Sequence, residues 1–259
     1  MCRLAAYLGS PVFLQRFLND PPHNLIHQSW APQEMDEAVL NADGFGFGWY
    51  PEPDKPATYL STQPIWSDIN LPGLSSSLSS HLWMGYVRSA TPGQMTGLIN
   101  TQPFRISNLL FMHNGLVRDF TPGVKIRFHE YLAPEIQAGI NGNTDSEYLF
   151  ATLRQQMANQ PDQDIPTILI NTMSQIKSIV KDNVALLNII VSDGNNIYAI
   201  KHAINGQCPS LYVSLQDTLF PDAVVVASER MTTGPAWQAV PEHSLAILAG
   251  NAAPEFVSL

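Results

Sequence analysis

Apolar residues fall in short blocks broken by Gly, Pro, Asn and Ser, with two longer stretches in helical period. Residues 4–8 read as a short apolar strand. Ser10-Pro11 then predicts a helix start, with Ser as cap and Pro in the first turn, and Val12, Phe13, Phe17 and Leu18 on one face. Residues 19–43 read as irregular. Gly44-Phe45-Gly46-Phe47-Gly48-Trp49-Tyr50 alternates glycine with aromatics, a pattern that lets another backbone or a ligand approach a strand closely at the glycines. Residues 58–62 are the expected partner strand, and the Ser-rich residues 67–80 a surface connection with a short helix. Residues 81–89 predict a buried strand running into the turn Thr91-Pro92-Gly93. Residues 109–112 predict another, ending at His113-Asn114-Gly115, where Asn-Gly signals a turn.

Residues 128–140 read as helical. Thr144 precedes a helix over 145–156, with Glu147 completing a capping box. A second amphipathic helix spans 165–181, with Ile168, Leu169, Thr172, Ile176 and Ile179 near one face. Residues 184–192 and 197–204 flank the hairpin turn Asp193-Gly194-Asn195, and 211–214, 223–228 and 244–248 add strands. Strands, then helices, then strands predict a layered α+β arrangement, with residues 1–259 as a single domain.

The net charge of -9 and pI near 5.1 argue against nucleic-acid and membrane-surface partners. No apolar run reaches transmembrane length, and Met-Cys-Arg with its brief apolar stretch does not form a signal peptide. Two cysteines, Cys2 and Cys208, make no disulfide framework, so a reducing, cytoplasmic location is expected. Cys208, before Pro209, reads as a loop or packing residue.

Cys2 changes the picture. Removal of Met1 would leave it with a thiol and an α-amine of pKa roughly 7.7–8.0, a nucleophile and a base on one residue. On its own, Cys2 is usually just the second residue of an edge strand, and it counts as catalytic only if the rest of the chain supplies an oxyanion site and substrate clamps. Arg88, at the end of a buried strand, can fork onto a carboxylate or satisfy loop carbonyls, and the two readings weigh equally. His113-Asn114-Gly115 sets a side-chain amide beside a backbone N–H, a pair able to hold an oxyanion. Asn143-Thr144-Asp145-Ser146-Glu147 sets a carboxylate at a helix start.

Cys2, Asp43-Gly44, Arg88-Ser89-Ala90-Thr91, His113-Asn114-Gly115 and Thr144-Asp145-Ser146-Glu147, in this order, resemble the class II glutamine amidotransferases, which are N-terminal-nucleophile hydrolases. The resemblance implies a four-layer αββα sandwich of two antiparallel sheets. It implies Cys2 as nucleophile with its α-amine as base, and Asn114 with the Gly115 N–H as oxyanion donors. Arg88 would take the α-carboxylate of a γ-glutamyl group and Asp145 its α-ammonium, with Thr91 and His113 as further substrate-binding residues. No cofactor or metal is implied, and the partner is a small γ-glutamyl molecule. The oligomeric state is left open, with a homodimer among the options.

Sugar-amidating members of that family carry His where this chain has Gln102. The Met-Cys-Arg opening is instead similar to the subgroup that cleaves γ-glutamyl compounds, including γ-glutamyl hercynylcysteine sulfoxide in ergothioneine biosynthesis. Glutathione-degrading subunits of yeast type are also similar, and a glutaminase subunit feeding ammonia to a separate synthetase is a further alternative. A hercynyl leaving group carries a trimethylammonium that aromatic faces would meet. Trp30, Trp49, Tyr50, Trp66, Trp83, Tyr86 and Trp237 are available, most of them expected in the core. His23 and His27 read as exposed loop histidines rather than metal ligands; Ser228-Glu229-Arg230, after an apolar strand, could lie near a pocket rim but reads as a surface ion pair rather than catalytic.

Overall fold

The structure, a computed structural model, describes residues 1–34, 40–90, 96–250 and 252–259. In chain order the elements are β1 (Arg3–Phe13), α1 (Leu14–Leu18), α2 (Leu25–Trp30), β2 (Phe45–Glu52), β3 (Lys55–Ser61), α3 (Leu71–Ser77), β4 (Ser79–Val87), β5 (Phe104–Ile106) and β6 (Leu109–Val117). Then follow α4 (Lys125–Tyr131), α5 (Pro134–Gln137), α6 (Asp145–Asn159), α7 (Ile165–Val180), β7 (Ala185–Ser192) and β8 (Ile197–Ile204). The chain closes with β9 (Tyr212–Leu215), β10 (Ala223–Ala227), β11 (Trp237–Ala239), β12 (Ser244–Leu248) and β13 (Glu255–Ser258). No helix of the described residues is long and apolar enough to cross a membrane.

One sheet has seven strands in the order β11-β9-β10-β1-β4-β2-β3, the other six in the order β13-β12-β8-β7-β6-β5. Every strand pairing among the described residues is antiparallel. Strand alternation divides the core into three clusters. Leu4, Ala6, Leu82, Met84, Leu110, Met112, Ile190 and Ala199 fill the gap between the sheets. Ala5, Tyr7, Phe45, Phe47 and Trp83 face α1–α3, while Phe111, Leu187, Ile189 and Ile200 face α4, α6 and α7. The result is an αββα sandwich of two antiparallel sheets, as expected.

Three local expectations are corrected. Ser10-Pro11 does not start a helix: β1 runs on to Phe13, and Pro11 sits where pairing with β4 shifts register between Leu8 and Val12. A bulge leaves that nitrogen without a ladder bond to lose, so proline fits there. His113-Asn114-Gly115 is no turn either, because β6 keeps pairing with β7 through Val117↔Ala185. The glycine answers a close approach, since a Cβ on Gly115 would lie 1.8 Å from the Leu186 carbonyl oxygen. Within the supposedly irregular 19–43 stretch, α2 forms with Asn24 capping it through the His27 N–H.

The glycine-aromatic strand behaves as its pattern predicts. Phe45 and Phe47 point to the helices, and Gly46 points to the other sheet, where a Cβ would meet the Gln102 carbonyl oxygen at 2.3 Å. Thr144 caps α6 through the Glu147 N–H at 3.3 Å. The Glu147 carboxylate, however, reaches past the cap residue to the Asn141 and Gly142 N–H groups, 2.6 Å each.

Candidate active site

Alternation also selects which side chains meet between the sheets. In β1 the positions of Leu4, Ala6 and Leu8 face the gap, which puts Cys2 on the same side, packed against that cluster. In β4 the positions of Leu82, Met84 and Tyr86 do so, bringing Arg88 to that face one step beyond the strand. In β6 Leu110 and Met112 are followed by Asn114.

The Cys2 thiol is half-buried and accepts from the Ser89 N–H at 3.4 Å. The peptide that presents it is fixed from behind, where the Arg3 Nε donates to the Cys2 carbonyl at 2.6 Å. Arg3 points to the helix side and is 1% exposed. Its guanidinium pairs with Glu229 at 3.0 Å. Glu229 also accepts from the Gln33 and Glu34 N–H groups and contacts His23 Nε2 at 2.6 Å. Burial pushes the Glu229 carboxyl up, but His23, the two N–H groups and Arg3 together hold it below its ordinary value. Glu229 is therefore a buried anchor rather than half of a surface pair, and His23 is buried with it instead of exposed.

Asn114 is fully buried, and its Nδ2 donates to Ser228 Oγ at 3.1 Å. Ser228 Oγ also accepts from the Leu4 N–H at 3.1 Å, so one hydroxyl ties the amide to the strand that carries Cys2. The hydroxyl of Tyr86 lies nearby. Burial first, then the Cys2 thiol, drives its pKa well up, with Arg88 opposing and Asp145 adding. Cys2, Tyr86, Arg88 and Asp145 thus share one electrostatic neighbourhood. Gln102 spans it, donating from Nε2 to the Tyr86 hydroxyl (3.2 Å) and accepting the His113 N–H at Oε1 (2.6 Å).

Arg88 is buried and set by Asp43-Gly44: its N–H donates to the Gly44 carbonyl (2.9 Å) and the Asp43 carboxylate accepts the Ala90 N–H (2.8 Å). Gly44 has φ +117°, and a Cβ there would meet the Ser61 carbonyl oxygen at 2.7 Å. Asp145 opens α6, accepting the Val117 N–H at 2.7 Å and the Ser146 N–H at 2.8 Å. Thr91 lies outside the described residues.

His113, expected as a substrate-binding residue, faces the helix side of β6. It alternates away from Asn114 toward the helices, where Nδ1 accepts from the Ser146 hydroxyl (2.8 Å) and Nε2 donates to the Leu186 carbonyl (3.0 Å). Burial lowers its pKa, against the opposing pull of Asp145, so it is a neutral imidazole with both nitrogens engaged. It steadies the start of α6 beside Asp145. The sequence pointed to Ser228 only as part of a stretch near a pocket rim and to Tyr86 only as one of seven aromatics; the links Ser228 makes to Asn114 and Tyr86 to Gln102 have no local signal.

The sequence model of the glutamine amidotransferases class-II family matches residues 27–255. The chain belongs to this family. Several relatives of this amidotransferase are aligned over 95% of the chain. The gamma-glutamyl-hercynylcysteine sulfoxide hydrolase of Mycolicibacterium smegmatis is 28% identical over 94% of its own length. That of Mycobacterium tuberculosis is 30% identical over 91%. The probable glutamine amidotransferase DUG3 of Saccharomyces cerevisiae is 27% identical over 81%. A glutamine aminotransferase class-II domain protein from Silicibacter pomeroyi superposes with TM-score 0.69 at 23% identity, each chain covered fully. The glutamine phosphoribosylpyrophosphate amidotransferase of B. subtilis superposes with TM-score 0.66 at 18% identity, over 99% of this chain and 49% of that one. These two show the shared fold. This class II amidotransferase is an amidohydrolase; of its motif residues, Cys2, Arg88 and Asn114 stand at gap-facing positions, Asp145 opens α6 and His113 faces the helices.

Proposed function

We propose that residues 1–259 act as one catalytic domain that hydrolyses the γ-glutamyl amide of γ-glutamyl hercynylcysteine sulfoxide, in a reducing, cytoplasmic setting. The observation that carries the substrate is that relatives of that printed activity, 28% and 30% identical, align over nearly their whole length. Arg88 takes the α-carboxylate and Asp145 the α-ammonium, a charge pair that orients the δ-carbonyl toward Cys2. The Cys2 α-amine takes the thiol proton, and the thiolate attacks that carbon, forming C–S as the carbonyl electrons move to oxygen. Asn114 Nδ2 and the Gly115 N–H donate to the oxyanion. Collapse breaks C–N, and the leaving nitrogen takes a proton from the Cys2 α-ammonium. Water, deprotonated by the same amine, then cleaves the thioester and releases glutamate. Gln102 and Tyr86 position the β6 backbone against the thiol. Thr91 contacts the substrate, and His113 acts through Ser146 rather than by touching substrate.

This chemistry requires removal of Met1, because a peptide bond on the Cys2 nitrogen has no basicity. The test of the substrate is kcat/KM for γ-glutamyl hercynylcysteine sulfoxide against glutathione and glutamine, with product glutamate quantified. A clear preference for the first is expected. Equal or better turnover of glutathione rejects it in favour of a glutathione hydrolase, and preference for glutamine favours an ammonia-supplying subunit.

A further inference from the structure

We infer that the cavity beside Met1 is the leaving-group pocket, that Lys201 and Arg118 are its carboxylate receptors, and that the substrates are therefore γ-glutamyl conjugates of amino acids with a free carboxylate. The inference rests on the γ-glutamyl hydrolase reading above and concerns the half of the substrate beyond the scissile bond.

The cavity holds about 660 Å3, with Met1, Glu34, Arg118, Lys201, Cys208 and Tyr212 among its walls. Its placement follows from the proton. The leaving nitrogen takes a proton from the Cys2 nitrogen, so the leaving group must lie on that side of the thiol. Met1 occupies the bond direction of that nitrogen and lines this cavity, so trimming Met1 opens the cavity onto the amine.

Sheet register reaches the same place. Asn114 pairs with Asn188 and Asn188 with Lys201, a buried polar row across three adjacent strands. In β8, Ile197 and Ala199 belong to the gap between the sheets, and Lys201 continues that face. Two strand spacings of roughly 4.8 Å separate the Lys201 backbone from that of the oxyanion amide. Both side chains project from the same face of the sheet, so a group beside the oxyanion amide meets Lys201, and the α-carboxylate of an amino acid lies only two bonds from the leaving nitrogen.

The charges agree. Lys201 is 8% exposed, yet among the described residues its ammonium has no ion-pair partner. Arg118, exposed at the mouth, has none either. Two cations without an ion-pair partner among the described residues therefore line one cavity of a chain with net charge -9. The cavity also has an anionic and aromatic side: Glu34 accepts the Tyr212 hydroxyl at 2.8 Å. That side suits a cationic group on the same amino acid. Free ammonia would use none of these groups.

The test compares γ-glutamylalanine with γ-glutamylethylamide, which differ only by the leaving-group carboxylate. The readout is the ratio of their kcat/KM values, which does not depend on the folded fraction of a sample. Wild type is expected to prefer γ-glutamylalanine, and Lys201→Met to lower the ratio roughly 10- to 100-fold, as loss of a charge-assisted hydrogen bond does. Arg118→Met, at an exposed position, is expected to lower it in the same direction and decides the matter if Lys201→Met does not fold. A ratio near one in wild type, or unchanged in both variants, overturns the pocket assignment. Hydrolysis of neither compound by wild type, nor of γ-glutamyl hercynylcysteine sulfoxide, overturns the underlying hydrolase reading instead.

Discussion

Glu229→Ala perturbs the anchor behind Cys2. The Glu229 carboxylate accepts from Arg3, the Gln33 and Glu34 N–H groups and His23, and both Arg3 and Glu229 are 1% exposed. Truncation leaves a buried guanidinium without its counter-charge, a loss of about 3–5 kcal/mol. For a chain of this size that is a fall in Tm of roughly 6–20 °C, set against a total stability of roughly 5–15 kcal/mol. The internal control is Asp20→Ala, which breaks the Arg16–Asp20 pair whose side chains are 43% and 33% exposed, and is expected to cost under about 1 kcal/mol. Urea unfolding followed by tryptophan fluorescence, with m-values compared, measures both. Because the folded state holds the Glu229 carboxyl below its ordinary 4.5, its contribution is complete above that value and is lost as pH falls through the depressed one. The acid limb of stability should flatten in Glu229→Ala. A cost no greater than that of Asp20→Ala would refute the anchor.

Asn114→Ala should lower kcat by on the order of 10²–10³ with a smaller change in KM, measured by glutamate release. Gly46→Ala places a Cβ 2.3 Å from the Gln102 carbonyl oxygen and should destabilise by about 1–3 kcal/mol in urea unfolding. His202 is held down to about 4, from 6.5, by burial first and then by His243 and Lys177. The unfolded chain takes up that proton first on acidification, so stability falls from about pH 6.5 toward about 4. His202→Gln should remove that part of the slope in pH-dependent unfolding.

Layer order and most long elements were legible because alternation and helical period are local signals. Cys2, Arg88 and Asp145 stood out in the sequence because each sits at the end of a strand or helix, and His113-Asn114-Gly115 because polar residues and a glycine interrupt the apolar strand β6. Short strands such as β5, β11 and β13 carry too few residues to show a period, and exist through pairing with β6, β9 and β12. Ser10-Pro11 and Asn114-Gly115 misled for one reason. Both carry turn or cap signals, but tertiary pairing used the proline at a bulge and the glycine at a close approach. Glu229 read as surface because its partners lie 226, 206, 196 and 195 positions away in sequence. Separation in sequence also hid the Asn114–Ser228 link, 114 positions apart.

The central claim is a γ-glutamyl thioester on an N-terminal Cys2. It is tested most directly by acid-quenching the enzyme during turnover of a γ-glutamyl substrate and sequencing its N-terminal peptide by mass spectrometry. The account expects a peptide that begins at Cys2, without Met1, and carries a γ-glutamyl group on the cysteine sulfur that disappears as substrate is exhausted. Full turnover by protein that retains Met1, or an acyl group on any other residue, would contradict it.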